Sequence, residues 1–239
     1  MSEATMPEER RKTLDRYAKL RVADVCDALD ALGLLDRCSM GPEIRPVWTD
    51  RETLAHRVCG FATTVRYFPT NQAYLPHTPE EAAELRKQWQ KRVLPTDLPC
   101  KEGDVIVIDG AGIRNIGYIG SNNIMRWRSR GARGVITNAG CRDSDEIAKE
   151  KIPAYTAYIG HGRKIGRVEF DQYDLPVSIG GVLVRPGDFI VADGDGVIVV
   201  PAEHIETVAE LAAEERANDQ AARRRLYTKL GMTEDDTLQ

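Results

Sequence analysis

Cysteine and histidine are scarce in this chain, and neither is arranged as a site. The five cysteines, Cys26, Cys38, Cys59, Cys100 and Cys141, are odd in number and contain no C-x-x-C pair. That pattern signals neither a disulfide framework nor a zinc site, so the cysteines read as buried or idle thiols; only Cys141 stands out, because it abuts Arg142-Asp143. The four histidines are scattered. A metal here would be held by oxygens, which favours magnesium or manganese over zinc. No apolar run approaches the roughly 18 residues of a membrane span. The start, Met-Ser-Glu-Ala-Thr-Met-Pro-Glu-Glu-Arg-Arg, lacks the apolar core of a signal peptide. A cytoplasmic protein with no membrane partner is expected. The formal charge of −4 offers no overall basic excess, so no nucleic-acid partner is expected either.

What is present is ordinary globular material: 239 residues, 42% apolar and 29% charged, enough for one sizeable core. Apolar residues recur at three- and four-residue spacing from Leu14 to Leu32, which predicts a helix over about 7–32 that ends at Gly33. A strand is expected over 58–65. Residues 69–99 are polar and punctuated by Pro69, Pro76, Pro79, Pro95 and Pro99, with a charged helix over about 80–93. This reads as a helical excursion from the core, docked by Trp89. The phrase Lys101-Glu102-Gly103-Asp104 followed by Val105-Ile106-Val107-Ile108 recurs as Arg185-Pro186-Gly187-Asp188 followed by Phe189-Ile190-Val191-Ala192, then Gly196 to Val200. Continuous apolar runs of this kind predict strands buried on both faces. Gly134 to Asn138 is another strand. Ser121 to Arg130 and Glu203 to about Leu230 read as helices, and 233–239 reads as a frayed end. The order predicts a single α/β domain over 1–239, with its core over about 20–230.

Two segments could carry chemistry. Gly120-Ser121-Asn122-Asn123 opens a helix, and the first backbone N–H groups of a helix offer donors and partial positive charge to a carboxylate or phosphate; plain capping by Gly120 or Ser121 is the competing reading. After the strand ending at Asn138, Ala139-Gly140-Cys141-Arg142-Asp143 turns toward a helix, and the C-terminal ends of strands are where ligands gather in α/β folds. Arg142 offers a donor fork suited to a carboxylate, and Asp143 offers hard oxygens to a divalent cation. Together they suit a 2-oxo-acid. Asp143-Ser144-Asp145-Glu146 is equally a capping box, and spacing alone leaves both readings open. Asp109-Gly110-Ala111-Gly112 lacks the G-x-G-x-x-G and P-loop patterns. Asp193-Gly194-Asp195-Gly196 lacks the closing glutamate of a calcium loop and reads as a tight turn. His161 reads as a solvent-exposed loop residue. No histidine or lysine stands in either motif, so ordered or metal-bound water is the expected base.

The stretch from Gly120 to Asp143 resembles the family of 4-hydroxy-4-methyl-2-oxoglutarate aldolases and regulators of ribonuclease activity A, often labelled dimethylmenaquinone methyltransferase-like. Val25 to Leu29 with Gly33, Lys101 to Gly110, Leu175-Pro176-Val177, Gly180-Gly181-Val182, Arg185 to Asp188 and Ala192 to Val197 agree with it, so the resemblance spans about 20–230. It implies an α-β-β-α sandwich with an N-terminal helix and a long C-terminal helix, assembling as homotrimers or hexamers with sites between subunits. It implies Mg2+, or Mn2+, on Asp143, with Asp219 or Glu215 of a neighbouring subunit acting through water. Gly120, Ser121, Asn122, Asn123 and Arg142 would hold a 2-oxo-acid carboxylate. The implied reaction is aldol cleavage of a 4-hydroxy-2-oxo-acid, or decarboxylation of oxaloacetate, releasing pyruvate through a metal-stabilised enolate. The alternative it implies is a non-catalytic ring-forming regulator that binds a ribonuclease or other partner protein. One departure is visible: the family's helix start carries an acid where this chain has Ser121.

Overall fold

The computed structural model describes residues 6–93 and 98–238. In chain order the elements are α1 (Glu8–Tyr17), α2 (Val22–Ala31), β1 (Arg45–Pro46), β2 (Val58–Pro69), α3 (Pro79–Val93), β3 (Asp104–Asp109), β4 (Gly117–Ile119), α4 (Ser121–Arg128), β5 (Gly134–Cys141), α5 (Ser144–Lys149), β6 (Ala154–Ile159), β7 (Val168–Tyr173), β8 (Val177–Ile179), β9 (Val182–Val184), β10 (Phe189–Asp193), β11 (Gly196–Val200) and α6 (Ile205–Leu230). Nine strands form one mixed sheet in the order β1-β6-β5-β3-β2-β10-β11, with β4 added on β5 and β7 on β2. The pairs β2–β3, β3–β5 and β5–β6 are parallel; β10 lies antiparallel to β2 and β11. The sheet nearly closes on itself. The segment before β1 bridges to β11 through Ser39 and Ile198, while β1 pairs with β6 at the opposite end of the strand order. Of the expected architecture, the mixed α/β class and the long C-terminal helix are present.

The apolar strands are buried on both faces, as their composition requires. In β3, Val105 and Val107 join one core cluster and Ile106 and Ile108 another; in β11, Val197 and Val199 point one way and Ile198 and Val200 the other. This is the two-residue alternation of a strand with apolar partners on each side. The outer cluster beneath Ile198 and Val200 is closed by Leu14, Tyr17, Val25 and Leu29 of α1 and α2 and by Val208, Ala209 and Ala212 of α6. The repeated Gly-Asp phrase is one turn used twice. Asp104 accepts from the Lys101 N–H at 2.7 Å, and Asp188 accepts from the Arg185 N–H at 2.7 Å. Asp193 to Gly196 is a tight hairpin between β10 and β11.

Four local expectations are corrected. The helix expected over 7–32 is two helices, because the Asp24 carboxylate takes the Arg21 N–H at 2.8 Å and starts α2 afresh after a buried Leu20. β2 runs on to Pro69, since β7 pairs along its second half. β5 does not turn at its glycine but continues to Cys141, because β4 and β6 pair with that end. The C-terminal tail folds back: Leu238 is buried, and its carbonyl accepts from Arg224 Nη2 at 2.6 Å. The excursion holds the expected helix, α3, docked through the buried Trp89. Positions 94–97 of it, the first five residues of the chain and Gln239 lie outside the described residues.

Candidate functional site

The two sequence motifs meet because β4 and β5 run parallel and end together. Gly117 pairs with Gly140 and Ile119 with Cys141, and the Arg142 N–H bonds to the Ile119 carbonyl at 2.9 Å. Gly120, the residue preceding α4, therefore lies directly beside Arg142-Asp143. The approach leaves no room for a Cβ unless Asp143 or Arg142 moves. A Cβ on Gly120 would fall 2.2 Å from Asp143 Oδ2, and one on Gly117 would fall 2.7 Å from Arg142 Cβ. The site sits at the C-terminal ends of parallel strands, where open backbone ends and helix N-termini gather.

Asp143 has φ 59°, in the left-handed region. Asp enters this region at modest cost because its short side chain can bond locally. The twist aims the carboxylate away from α5, which it precedes, and no side-chain cap bond to α5 forms. The capping-box reading of Asp143 and Glu146 is thus corrected. Asp143 Oδ2 instead accepts the Ser121 N–H at the start of α4, 3.2 Å away, where a negative charge is favoured by the helix dipole. Oδ1 stands 3.8 Å from Arg142 Nε, and both side chains are about 40% exposed (41% and 38%). No cluster of three or more acid, cysteine or histidine side chains able to hold a metal occurs among the described residues. Asp143 is then a single hard carboxylate with free lone pairs. That fits Mg2+ or Mn2+, which need only one or two carboxylates and otherwise take water and substrate oxygens; it does not fit zinc, which wants three or four ligands. Of the two acids proposed on α6, Asp219 is held by Arg21 of its own chain at 2.9 Å, while Glu215 is exposed.

Arg142 opens into a cavity of about 240 Å3. Its floor is the α4 start, with Gly120, Asn122 and Asn123. The excursion supplies Arg86 and Gln90 from α3, and the loop after β6 supplies Arg163 and Lys164. With Arg126 and Arg142, four guanidinium groups and one lysine amine face this space, and no carboxylate lines it among the described residues. Only Arg142 of the five has a carboxylate within ion-pair distance among those residues. The excursion and the loop, unplaced by sequence, are both walls of the site. His161 in the same loop is exposed, as expected.

Lys164 is the functional candidate that the sequence reading missed. Its Nζ donates to Tyr67 Oη at 2.9 Å, and Tyr67 Oη donates to the Val93 carbonyl at 3.1 Å. Burial, and then the nearby Arg142 charge, push its amine down from the usual 10.5 to about 7. A lysine in a glycine-rich loop carries no local signal of this; only the tertiary approach of β2, α3 and Arg142 creates it. Cys141 goes the other way. It is buried, and burial plus the Asp143 charge raise its thiol to about 12, so it is inert. Asp109-Gly110-Ala111 is a braced turn, with Asp109 Oδ1 accepting from the Ala111 N–H at 3.1 Å and Asn138 Nδ2 at 3.0 Å. That arrangement has no open phosphate cradle.

With the geometry in place, similarity to known proteins is informative. The family model described as Aldolase/RraA, RraA-like, matches residues 22–199. A Deinococcus radiodurans protein is 39% identical over 101 residues, which is 42% of this chain and 62% of that protein. This chain therefore matches less than two thirds of that relative's length. A Burkholderia mallei protein is 29% identical over 182 residues, 74% of this chain and 92% of its own. Both are provisionally named 4-hydroxy-4-methyl-2-oxoglutarate aldolase. Among solved structures, Streptomyces coelicolor RraAS2, described as an unusual member of the RNase ES inhibitor RraA protein family, aligns with TM-score 0.69 at 22% identity, over 93% of this chain and 99% of its own. At that identity the likeness is one of fold.

Proposed function

Because this chain belongs to the Aldolase/RraA family, we propose that it is a divalent-metal-dependent carbon–carbon lyase for small 2-oxo-acids that carry a further carboxylate. The observation that carries this reading is the cavity at Arg142, faced by four arginines and a lysine amine and by no carboxylate among the described residues. A site so charged is built for a substrate with more than one negative group. The names of the curated relatives point to the same chemistry. The substrates meant are 4-hydroxy-2-oxo-acids with a carboxylate on the leaving half, cleaved by a retro-aldol step, and oxaloacetate, decarboxylated; pyruvate is the shared product.

The chain's own residues divide the work. Arg142 takes the 2-oxo-acid's carboxylate in a two-pronged grip, and the N-terminal turn of α4 adds backbone donors and positive field. Arg86, Arg126 and Arg163 hold the distal carboxylate and set the orientation that converts binding into rate. Asp143 would hold Mg2+ or Mn2+, which when bound would supply Lewis-acid stabilisation of developing negative charge. A single carboxylate is a thin donor set, so a neighbouring copy in a trimer or hexamer is expected to add a second acid through water; of the two candidates Asp219 is engaged by Arg21, while Glu215 is exposed.

The alternative, a non-catalytic ring that binds a ribonuclease or other partner protein, predicts no turnover at this cavity. The deciding experiment is a pyruvate-release screen over 4-hydroxy-2-oxo-acids and oxaloacetate, with and without Mg2+, on the wild-type chain and on Asp143→Asn. Metal-dependent release that vanishes in the variant supports the lyase. Absence of release from every substrate, with tight binding to an RNA-degrading complex, would favour the regulator.

A further inference from the structure

Lys164 presents an amine without a counter-charge at the wall of this cavity. Tyr67 from β2 bonds it and Arg142 after β5 acts on its charge, while Tyr118 from β4, Arg126 from α4, Arg86 from α3 and its own neighbour Arg163 line the same cavity. No carboxylate lies within ion-pair distance of Lys164 among the described residues. Hydrogen-bond arithmetic then limits its protonation state. The Tyr67 hydroxyl spends its proton on the Val93 carbonyl, so toward Lys164 it can only accept. One N–H of the amine is thereby satisfied. An ammonium would hold two more donors and a full charge near Arg142, with the face of the Tyr67 ring 4.8 Å away but no carboxylate among the described residues to offset them. A neutral amine held by the same bond keeps a lone pair free to take a proton.

We propose that Lys164 is the proton carrier of this site. The inference rests on the lyase reading above. In retro-aldol cleavage the neutral amine takes the proton of the substrate's C4 hydroxyl. The C4–O bond becomes a carbonyl, the C3–C4 bond breaks, and its electron pair moves into the C2 carbonyl as an enolate. The Lys164 ammonium so formed returns the same proton to C3, giving pyruvate and restoring the amine; no other reactant is consumed. Oxaloacetate decarboxylation has no hydroxyl proton to remove. There the ammonium form is the useful one, as donor to C3 after carbon dioxide leaves.

The two reactions must therefore depend on pH with opposite slopes. The depressed titration of Lys164 sets where the slopes fall, near pH 7. Steady-state kinetics of the full chain with Mg2+ would be measured from pH 5.5 to 9 on 4-hydroxy-4-methyl-2-oxoglutarate and on oxaloacetate, for wild type, Lys164→Met and, should the Met variant fold poorly, Lys164→Gln. Aldol kcat should rise through about pH 7 and decarboxylation kcat should fall there. Both limbs should vanish in the variants, with kcat down about 100-fold or more and KM little changed, as removal of a general acid–base does. Competitive acetylation of the metal-free chain provides a readout independent of turnover, and Lys164 should become reactive near pH 7, not near 10. An active wild type with Lys164→Met within threefold of it overturns this inference alone. So does a pyruvate adduct trapped on Lys164 by borohydride, since that makes the lysine a covalent nucleophile, or acetylation that begins only above pH 9. A wild type inactive on every substrate sinks the lyase reading and this inference with it.

Discussion

Gly120→Ala is the substitution that the site geometry penalises most directly. The new methyl would sit 2.2 Å from Asp143 Oδ2, 3.2 Å from its Cγ and 3.3 Å from Arg142 Cγ. The carboxylate must retreat by about 1 Å to reach ordinary van der Waals separation. That movement breaks the 3.2 Å bond from the Ser121 N–H. A hydrogen bond to a charged group contributes about 1.5–3 kcal/mol. Asp143 is partly exposed, which screens the interaction toward the lower end. A total loss of about 1–2 kcal/mol lowers the melting temperature of a chain this size by about 2–8 °C. Activity should fall much further, because a misplacement of about 1 Å at a reacting centre costs on the order of 100-fold. Thermal unfolding and metal-dependent pyruvate release would be compared with Gly194→Ala, where the nearest neighbour of an added Cβ is 3.8 Å away. A Gly120→Ala chain that matches wild type in both measurements would refute the packing of Asp143 against the α4 start and, with it, the placement of the site.

Four further outcomes follow from the same geometry. Arg86→Ala and Arg163→Ala should each raise KM about 10-fold or more for a 4-carboxylated substrate, as loss of one charge-assisted bond does, and an unchanged KM would remove those walls from substrate binding. Trp89→Ala empties a buried site; aromatic truncations of this kind cost about 3–5 kcal/mol, and here the loss should appear as limited proteolysis within 70–93 before global unfolding, because Trp89 is one of two buried residues on α3, with Val93. Cys141 should resist iodoacetamide at pH 8 until the chain is unfolded, given its burial and raised thiol; rapid labelling of the native chain would contradict that environment. Lys164 binds its proton less tightly in the fold, at about 7 against 10.5. The unfolded chain therefore holds more protons between about pH 7 and 10, and stability gains from this group as pH rises across that window. The stability difference between wild type and Lys164→Met, followed by denaturant unfolding, should change in that direction and no other.

Patterns of apolar residues were enough to locate most elements, since each depends on local spacing. The double-sided burial of β3, β10 and β11 was legible because every position in those runs is apolar. The Arg142-Asp143 pair and the Gly120 turn were legible as motifs, and the resemblance to a known family linked them. The break after Tyr17 was not legible. Apolar spacing continues across it, and the stop comes from the Asp24 carboxylate capping back onto Arg21, a choice that spacing leaves open. The folded-back tail was hidden because it has few apolar residues, and a buried leucine with bonds from Arg223, Arg224 and Tyr227 decides it.

At the site, sequence by itself determined which groups are available: an arginine fork, one hard carboxylate and glycines where strand becomes helix. Tertiary structure decided what those groups do. Whether Asp143 caps its own helix or faces another depended on one left-handed backbone angle and on the parallel pairing of β4 with β5, which brings residues 22 positions apart into contact. The cation-lined cavity exists only because α3, α4 and the loop after β6 converge on it from distant parts of the chain. A lysine titrating near neutrality follows from that convergence, because desolvation and a neighbouring charge are properties of the folded surroundings and not of the residue.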